Sequence, residues 1–338
     1  MLKNLLTLTV FILLTGFIKA QQIRLLTTGR PVSLRGLSVV SDQIIWVSGS
    51  GGSVGLSTDG GKNWKWIQVP RYEKSDFRDI EAFSDQEAVI MGITEPGVIL
   101  RTIDGGNKWT TLFEDSSKSA FLDAMDFSGD EAVLVGDPEG GKIFFARSAD
   151  HGKSWNKSNS GFENMAVGEA FFAASGSNIR FIPGGGYALV SGGKKSCLYL
   201  PSHRYPLLLN QGKETTGANS IAVNPADPNQ AFIVGGDFSH DTARYRNSLR
   251  IQFHPFIQSA PLTPPHGYRS CVEYLNDQQM ISCGTTGVDF SSDGGLHWKL
   301  ISKGSFHVCR HSKSGQTVFL AGPHGAIALL EWNENPLK

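Results

Sequence analysis

The side chains best equipped for chemistry gather where short apolar strands begin. Along the 338 residues those beginnings carry Arg35, Arg78 with Asp79, Asp123, Glu169, Asn219 with Ser220, Arg269 after Tyr268, and His307. Six of the seven openings hold a charged residue or His, and the seventh holds Asn. Packing alone does not demand this, because Val, Ala and Ser fill an inner strand well. Arginine forks bind carboxylates and phosphates through paired hydrogen bonds. Clustered carboxylates divide into acid and base when their surroundings differ. The set therefore suits an anionic ligand, acid–base catalysis, or a wet channel of mutually paired charges, and residue types alone leave all three open. Nearby loops add Glu95, Asp137, Lys194, Lys195, Asp237, His240 and His324.

Seven modules position these residues. Their first strands are expected over 34–40, 77–83, 121–127, 168–174, 219–223, 268–274 and 306–311. Second strands follow over 44–48, 88–92, 132–136, 187–191, 231–235, 279–283 and 317–321, most of them running into glycine. In four modules a third strand leads into one motif, Ser/Thr-x-Asp-x-Gly-x-x-Trp, with Asp59 and Trp64, Asp104 and Trp109, Asp150 and Trp155, and Asp293 and Trp298. The tryptophans are spaced by 45, 46 and 143 residues, the last close to three times 48, so two degenerate copies lie between. In the fourth and fifth modules the third strands run over 197–200 and 249–253 without the motif. The pattern reads as a hairpin turn. Its Asp accepts turn amides, its Ser or Thr ties back, its Gly takes positive φ, and its Trp anchors the turn to the sheet.

This motif at this period resembles the Asp-box, or BNR repeat, of β-propellers such as sialidases. The repeat spacing across nearly all of the chain after residue 20 is most similar to the photosystem II stability/assembly factor-like group. Secreted bacterial members of that group often carry an "oxidoreductase" label. The resemblance implies an all-β, seven-bladed propeller over 21–338 with no second domain. The seventh module ends after its third strand, 326–332, so residues 22–27 are expected to supply its outer strand and close the ring.

Antiparallel blades then give a map. First-strand openings and second-to-third-strand loops share one face, the channel mouth, while the motif turns lie on the other and are structural. Arg35, Arg78, Asp79, Asp123, Glu169, Asn219, Tyr268, Arg269 and His307 should ring the mouth. Glu169 and Arg269 should be replaceable there without loss of the fold. The stretch 264–270 also stands out, since Pro264 and Pro265 stiffen the approach that carries His266, Tyr268 and Arg269. A metal at Asp237 and His240 is conceivable, but the spacing is not diagnostic.

Composition narrows the functions. Lys+Arg and Asp+Glu each number 31, so the neutral chain lacks the basic stripe of a nucleic-acid binder. Its 39 glycines need no collagen-like repeat and fit strand-and-turn architecture instead. Residues 1–20 read as an export signal, with basic Lys3, an apolar run over 5–18 and Ala20 before the cut, so a secreted or periplasmic location is expected. The run is short for a membrane span, and no stable membrane insertion is expected. Cys271 and Cys283 could face each other across a hairpin, although free buried thiols suit Cys197, Cys271, Cys283 and Cys309 slightly better. The favoured function is a non-enzymatic, monomeric binding or assembly propeller, which the photosystem-factor resemblance implies. Its partner would be a protein segment or a small anionic or sugar ligand, with no cofactor. The alternative is a glycoside hydrolase, which the sialidase resemblance would build from Arg35, Arg78, Arg269, Tyr268, Glu169 and Asp79 or Asp123. A cofactor-dependent oxidoreductase comes third, since no G-x-G-x-x-G or phosphate loop occurs.

Overall fold

Runs of Val, Ile, Leu and Phe, broken by glycine and short polar turns, pair into seven antiparallel sheets arranged around one axis. A computed structural model describes residues 19–334, except 95, 118, 119, 159, 160, 163 and 202. Within a blade, burial is greatest in the second strand and least in the outermost one. Second strands such as Ile45–Gly49 and Ala88–Gly92 are buried at every position, because neighbouring blades cover both faces. In the outer strand of blade 1, Lys65–Gln68, no residue is fully buried, with Trp66 and Ile67 half-buried between exposed Lys65 and Gln68. The apolar clusters lie between blades: Val54, Phe77, Ile80 and Ile90, for instance, join blades 1 and 2.

Lys19–Thr27 closes the ring as the outer strand of blade 7. It runs antiparallel to Ile327–Glu334, with Gln22 opposite Glu331 and Leu25 opposite Ala328. This is the closure expected from the incomplete last module. The remainder of the expected leader lies outside the described residues.

The four repeat turns share one hydrogen-bond scheme. In the first, Ser57 Oγ donates to Asp59 Oδ1 at 2.9 Å and accepts from Gly61 N at 2.9 Å. Asp59 Oδ1 also accepts from Asn63 N at 2.9 Å, and Trp64 Nε1 donates to the Gly61 carbonyl at 3.1 Å. Gly106 shows why glycine is required: its φ is 81°, and a Cβ there would lie 2.4 Å from Ile67 Cδ1. These turns press against the preceding blade. Trp298, only 3% exposed, packs with Phe232, Val234 and Met280, its ring centroid 5.2 Å from that of Phe232. Trp298→Ala should therefore lower stability by about 3–5 kcal/mol, the usual cost of deleting a buried aromatic. Urea unfolding followed by circular dichroism checks this; a loss below about 1 kcal/mol would mean that the ring does not anchor blade 6 to blade 5.

Blade 4 departs from the sequence reading. Its inner strand is Ile179–Phe181, paired with Tyr187–Val190, and 168–174 does not form it. Glu169–Ala170 instead pairs with Gly192–Gly193 on the mouth side, as an extension of the blade 5 sheet. Residues 171–178 then cross the channel. The hydrogen bonds of this crossing segment reach all six other blades, including Asp137 of blade 3 and Ser270 of blade 6. Arg35 Nη1 (blade 1) and Arg78 Nη1 (blade 2) donate to the carbonyls of Ala174 and Ala173. Ser177 Oγ donates to Ser220 Oγ of blade 5, and Arg310 Nη2 (blade 7) donates to the Ser175 carbonyl. The apolar run Phe171-Phe172-Ala173-Ala174 looks like a strand in sequence because a channel plug, like an inner strand, is enclosed on every side.

Cys271 and Cys283 are cross-strand partners in blade 6, as the hairpin reading allowed. All four cysteines are free thiols in buried positions.

Candidate functional site

The crossing segment divides the channel into a cavity on the mouth side and another on the side of the repeat turns. The mouth cavity measures about 510 Å³. Its walls are Arg35, Arg78, Asn219, Tyr268 and His307 from the strand openings, Asp137, Phe238 and Thr285 from the loops, and Phe121 and Ser270. Residues 170–174 form its floor. Five of the nine residues singled out from sequence therefore meet here.

The electrostatics are uneven. Arg78 pairs with Asp76, Nε to Oδ2 at 2.8 Å. Arg35 has a single hydrogen bond, to the Ala174 carbonyl at 3.2 Å, and among the described residues no carboxylate partner. Burial, with the Arg78 charge beside it, pulls the Arg35 pKa below its ordinary value. His307 is pulled down to about 3 by burial, reinforced by Arg35 and Arg78, so it stands neutral beside Ser33 Oγ at 3.3 Å. The Tyr268 hydroxyl donates to Asn219 Oδ1 at 2.9 Å, and burial pushes its pKa up. Asp137 is raised by burial and accepts from Phe171 N at 3.1 Å. The cavity thus offers two guanidiniums, one of them making no ion pair among the described residues, in a setting of four phenylalanines and a tyrosine.

Four expected residues do not line it. Glu169 is buried inside blade 4, where Oε1 accepts from Ser191 Oγ and from Tyr199 OH at 2.7 Å, and Oε2 from Arg204 Nη2 at 2.8 Å and Ala166 N at 2.9 Å. Arg269 is fully buried within blade 6. Its Nε donates to Asp289 Oδ2 at 2.6 Å, and its Nη1 to the Tyr268 carbonyl and Thr286 Oγ1. His266 joins the same carboxylate, Nδ1 to Oδ1 at 2.8 Å. Asp79 turns to the far side of the crossing segment, accepting from Ile80 N and Met125 N at 2.9 Å each. Asp123 is wholly buried, and among the described residues neither carboxyl oxygen has a partner at full hydrogen-bond geometry. Burial and then the Asp137 charge push its pKa well up, with Arg78 and the Ala173 amide opposing. The strand-opening rule placed these side chains at the right depth, but alternation turned them to different faces.

Among the loop residues, Asp237 is spent on Thr215 Oγ1, Ser239 Oγ and Ser239 N, with His240 Nδ1 at 3.1 Å. Lys194, Lys195 and His240 are exposed, and Glu95 lies outside the described residues. Sequence reasoning missed the wall from Phe121 and Phe171 to Phe172. Its signal, an apolar run next to a charged opening, was read as strand.

The buried carboxyls set an expected pH profile. Burial raises Asp79 and Glu273 to about 7 each, against unfolded values near 4. Between those limits the unfolded chain has released these protons while the folded chain retains them, so stability falls as pH rises from about 4 to about 7. The turn carboxylates act oppositely. Hydrogen bonds from Asn63 hold Asp59 at about 2, so its contribution is present above about 4 and lost as pH falls towards 2. Urea midpoints measured across this range should decline above pH 4 less steeply in Asp79→Asn than in wild type; parallel profiles would contradict the assignment.

No family model matches the sequence, and no curated protein matches it. Solved structures do. One described as YCF48 bound to D1 peptide shares 17% identity and a TM-score of 0.64, over 94% of this chain and 98% of that one. YCF48 from Cyanidioschyzon merolae gives 16% and 0.63, over 92% and 99%. The WD40 β-propeller domain of Doa1 gives 12% and 0.64, over 94% and 98%. At such identities the likeness is one of fold, and it agrees with the seven sheets: the chain is a seven-bladed β-propeller.

Proposed function

We propose that this chain is a non-enzymatic binding propeller whose mouth cavity receives an anionic group carried on a protein segment. The observation that carries this reading is Arg35, a half-buried guanidinium in an aromatic cavity that makes no ion pair among the described residues and feels the Asp76 charge only at longer range. A buried charge is costly unless paired, and a carboxylate or phosphate from a ligand would pair it while the phenylalanines take adjoining apolar atoms. A protein segment is favoured over a sugar because a structure of similar fold is described with a peptide bound. A holding or assembly role, as in the photosystem II assembly factor-like group, fits a cavity whose two guanidiniums can grip an anion.

The hydrolase set is only partly gathered at the cavity, where Arg35, Arg78 and Tyr268 remain. Glu169 and Arg269 are spent within blades, Asp79 lies beyond the floor, and the Tyr268 hydroxyl is committed to Asn219. Selection of a random peptide library on the immobilised propeller tests the proposal. Enriched peptides should share an acidic side chain or a free carboxyl end beside apolar residues. Enrichment without any anionic feature, or turnover of sialosides or glucans, would sink it.

We also read residues 1–20 as an export signal and the propeller as a monomer working outside the cytoplasm. Removal at Ala20–Gln21 would delete the pairs of Lys19 and Ala20 with the last strand and leave those from Gln21 onward. N-terminal sequencing of the exported protein should begin at Gln21. A start beyond Thr27 would mean that the closing strand is lost, against this reading.

A further inference from the structure

Beyond the crossing segment the channel opens to the opposite face as a second cavity of about 200 Å³. Inner strands of five blades bring Asp79, Asp126, Arg180, Glu273 and Arg310 to its wall, and nothing in the mouth-site reading uses them. Their pairing is incomplete. Lys313 is spent on Glu81 at 2.6 Å near the rim. Arg180 makes all of its hydrogen bonds from Nη1, to the Gly176 and Ile179 carbonyls and to Asp126 Oδ1 at 3.4 Å, which leaves its Nε–Nη2 edge unspent among the described residues. Arg310 donates to Cys271 Sγ, the Cys309 carbonyl and the Ser175 carbonyl, so Glu273 sits 3.9 Å from its guanidinium, beyond a hydrogen bond. The Arg180 and Glu273 side chains keep 17% and 22% exposure, enough for a small molecule to reach both.

We propose that this second cavity binds a small zwitterion of amino-acid type, its carboxylate on the free edge of Arg180 and its ammonium between Glu273 and Asp79. A simple anion would meet three carboxyls, and a simple cation would meet two guanidiniums. A molecule carrying both charges answers both poles, and the volume limits it to a few heavy atoms. Burial raises the Asp79 and Glu273 carboxyls to about 7 even against the pull of Arg310 and Arg180, and an ammonium placed between them would add to that pull.

Isothermal titration of the full chain with glycine, L-alanine, propionate and ethylamine tests this. Glycine or L-alanine should bind one to one, with propionate and ethylamine weaker by about tenfold or more, because each singly charged probe forfeits a charge-assisted contact. Arg180→Gln and Glu273→Gln should each weaken the zwitterion by a similar factor while thermal melts show a folded protein. If either does not fold, Arg180→Lys serves in its place, keeping the charge, losing the fork and weakening binding less than Arg180→Gln would. No binding of either zwitterion, equal binding of a singly charged probe, or folded variants that bind like wild type would overturn the proposal.

Discussion

Arg269→Ala is expected to cost about 3–5 kcal/mol of stability, the usual penalty for removing one partner of a buried ion pair. Asp289 would be left fully buried with only His266 beside it. The Tyr268 carbonyl and Thr286 would lose their donor as well. Domains are stable by only about 5–15 kcal/mol, so this single change takes a large part of the total. Denaturant unfolding at pH 7 measures it. A variant as stable as wild type that no longer captures peptide would place Arg269 in the binding site, which the geometry denies. From sequence, Arg269 was one of three arginines expected to bind ligand, and to tolerate replacement; in the structure it lies behind Tyr268, fully buried against Asp289, and the opposite outcome is predicted.

Arg35→Gln should do the opposite. Its guanidinium is held by one carbonyl and opposes the Arg78 charge, so removing it relieves repulsion and breaks little. Stability should stay within about 1 kcal/mol, or rise. Affinity for a peptide recovered by selection should fall by about 30- to 150-fold, the equivalent of a charge-assisted hydrogen bond worth about 2–3 kcal/mol. Fluorescence anisotropy with the labelled peptide gives the ratio. Unchanged affinity would show that the anionic group goes elsewhere.

These two arginines mark how far the sequence could be read. The turns around Asp59, Asp104, Asp150 and Asp293 were legible because their scheme is local: within each turn the Asp accepts the amide four residues on and the Trp indole bonds the glycine carbonyl three residues back. Seven blades and the closing strand followed from counting such units. The crossing segment was not legible, since Phe171-Phe172-Ala173-Ala174 has the apolar run of a strand and its partners lie in other blades. Ser175, for example, reaches Ser270 and Arg310. Site membership was half legible. Strand openings put Arg35, Arg78, Asn219, Tyr268 and His307 at the mouth, but which face each side chain takes depends on the register shifts between Leu34 and Gly36, Phe77 and Asp79, and Leu122 and Ala124. A bulge of this kind re-aims a side chain without leaving a mark in composition.

The central claim is that an anionic group of a protein segment is held on the mouth side of the crossing segment. A crystal structure of the propeller with a selected peptide tests it most directly. The account predicts a carboxylate or phosphate about 3 Å from the Arg35 guanidinium, with apolar peptide atoms against Phe172 and Phe238. A peptide laid along an outer blade edge, or one leaving Arg35 without an anion, would contradict it.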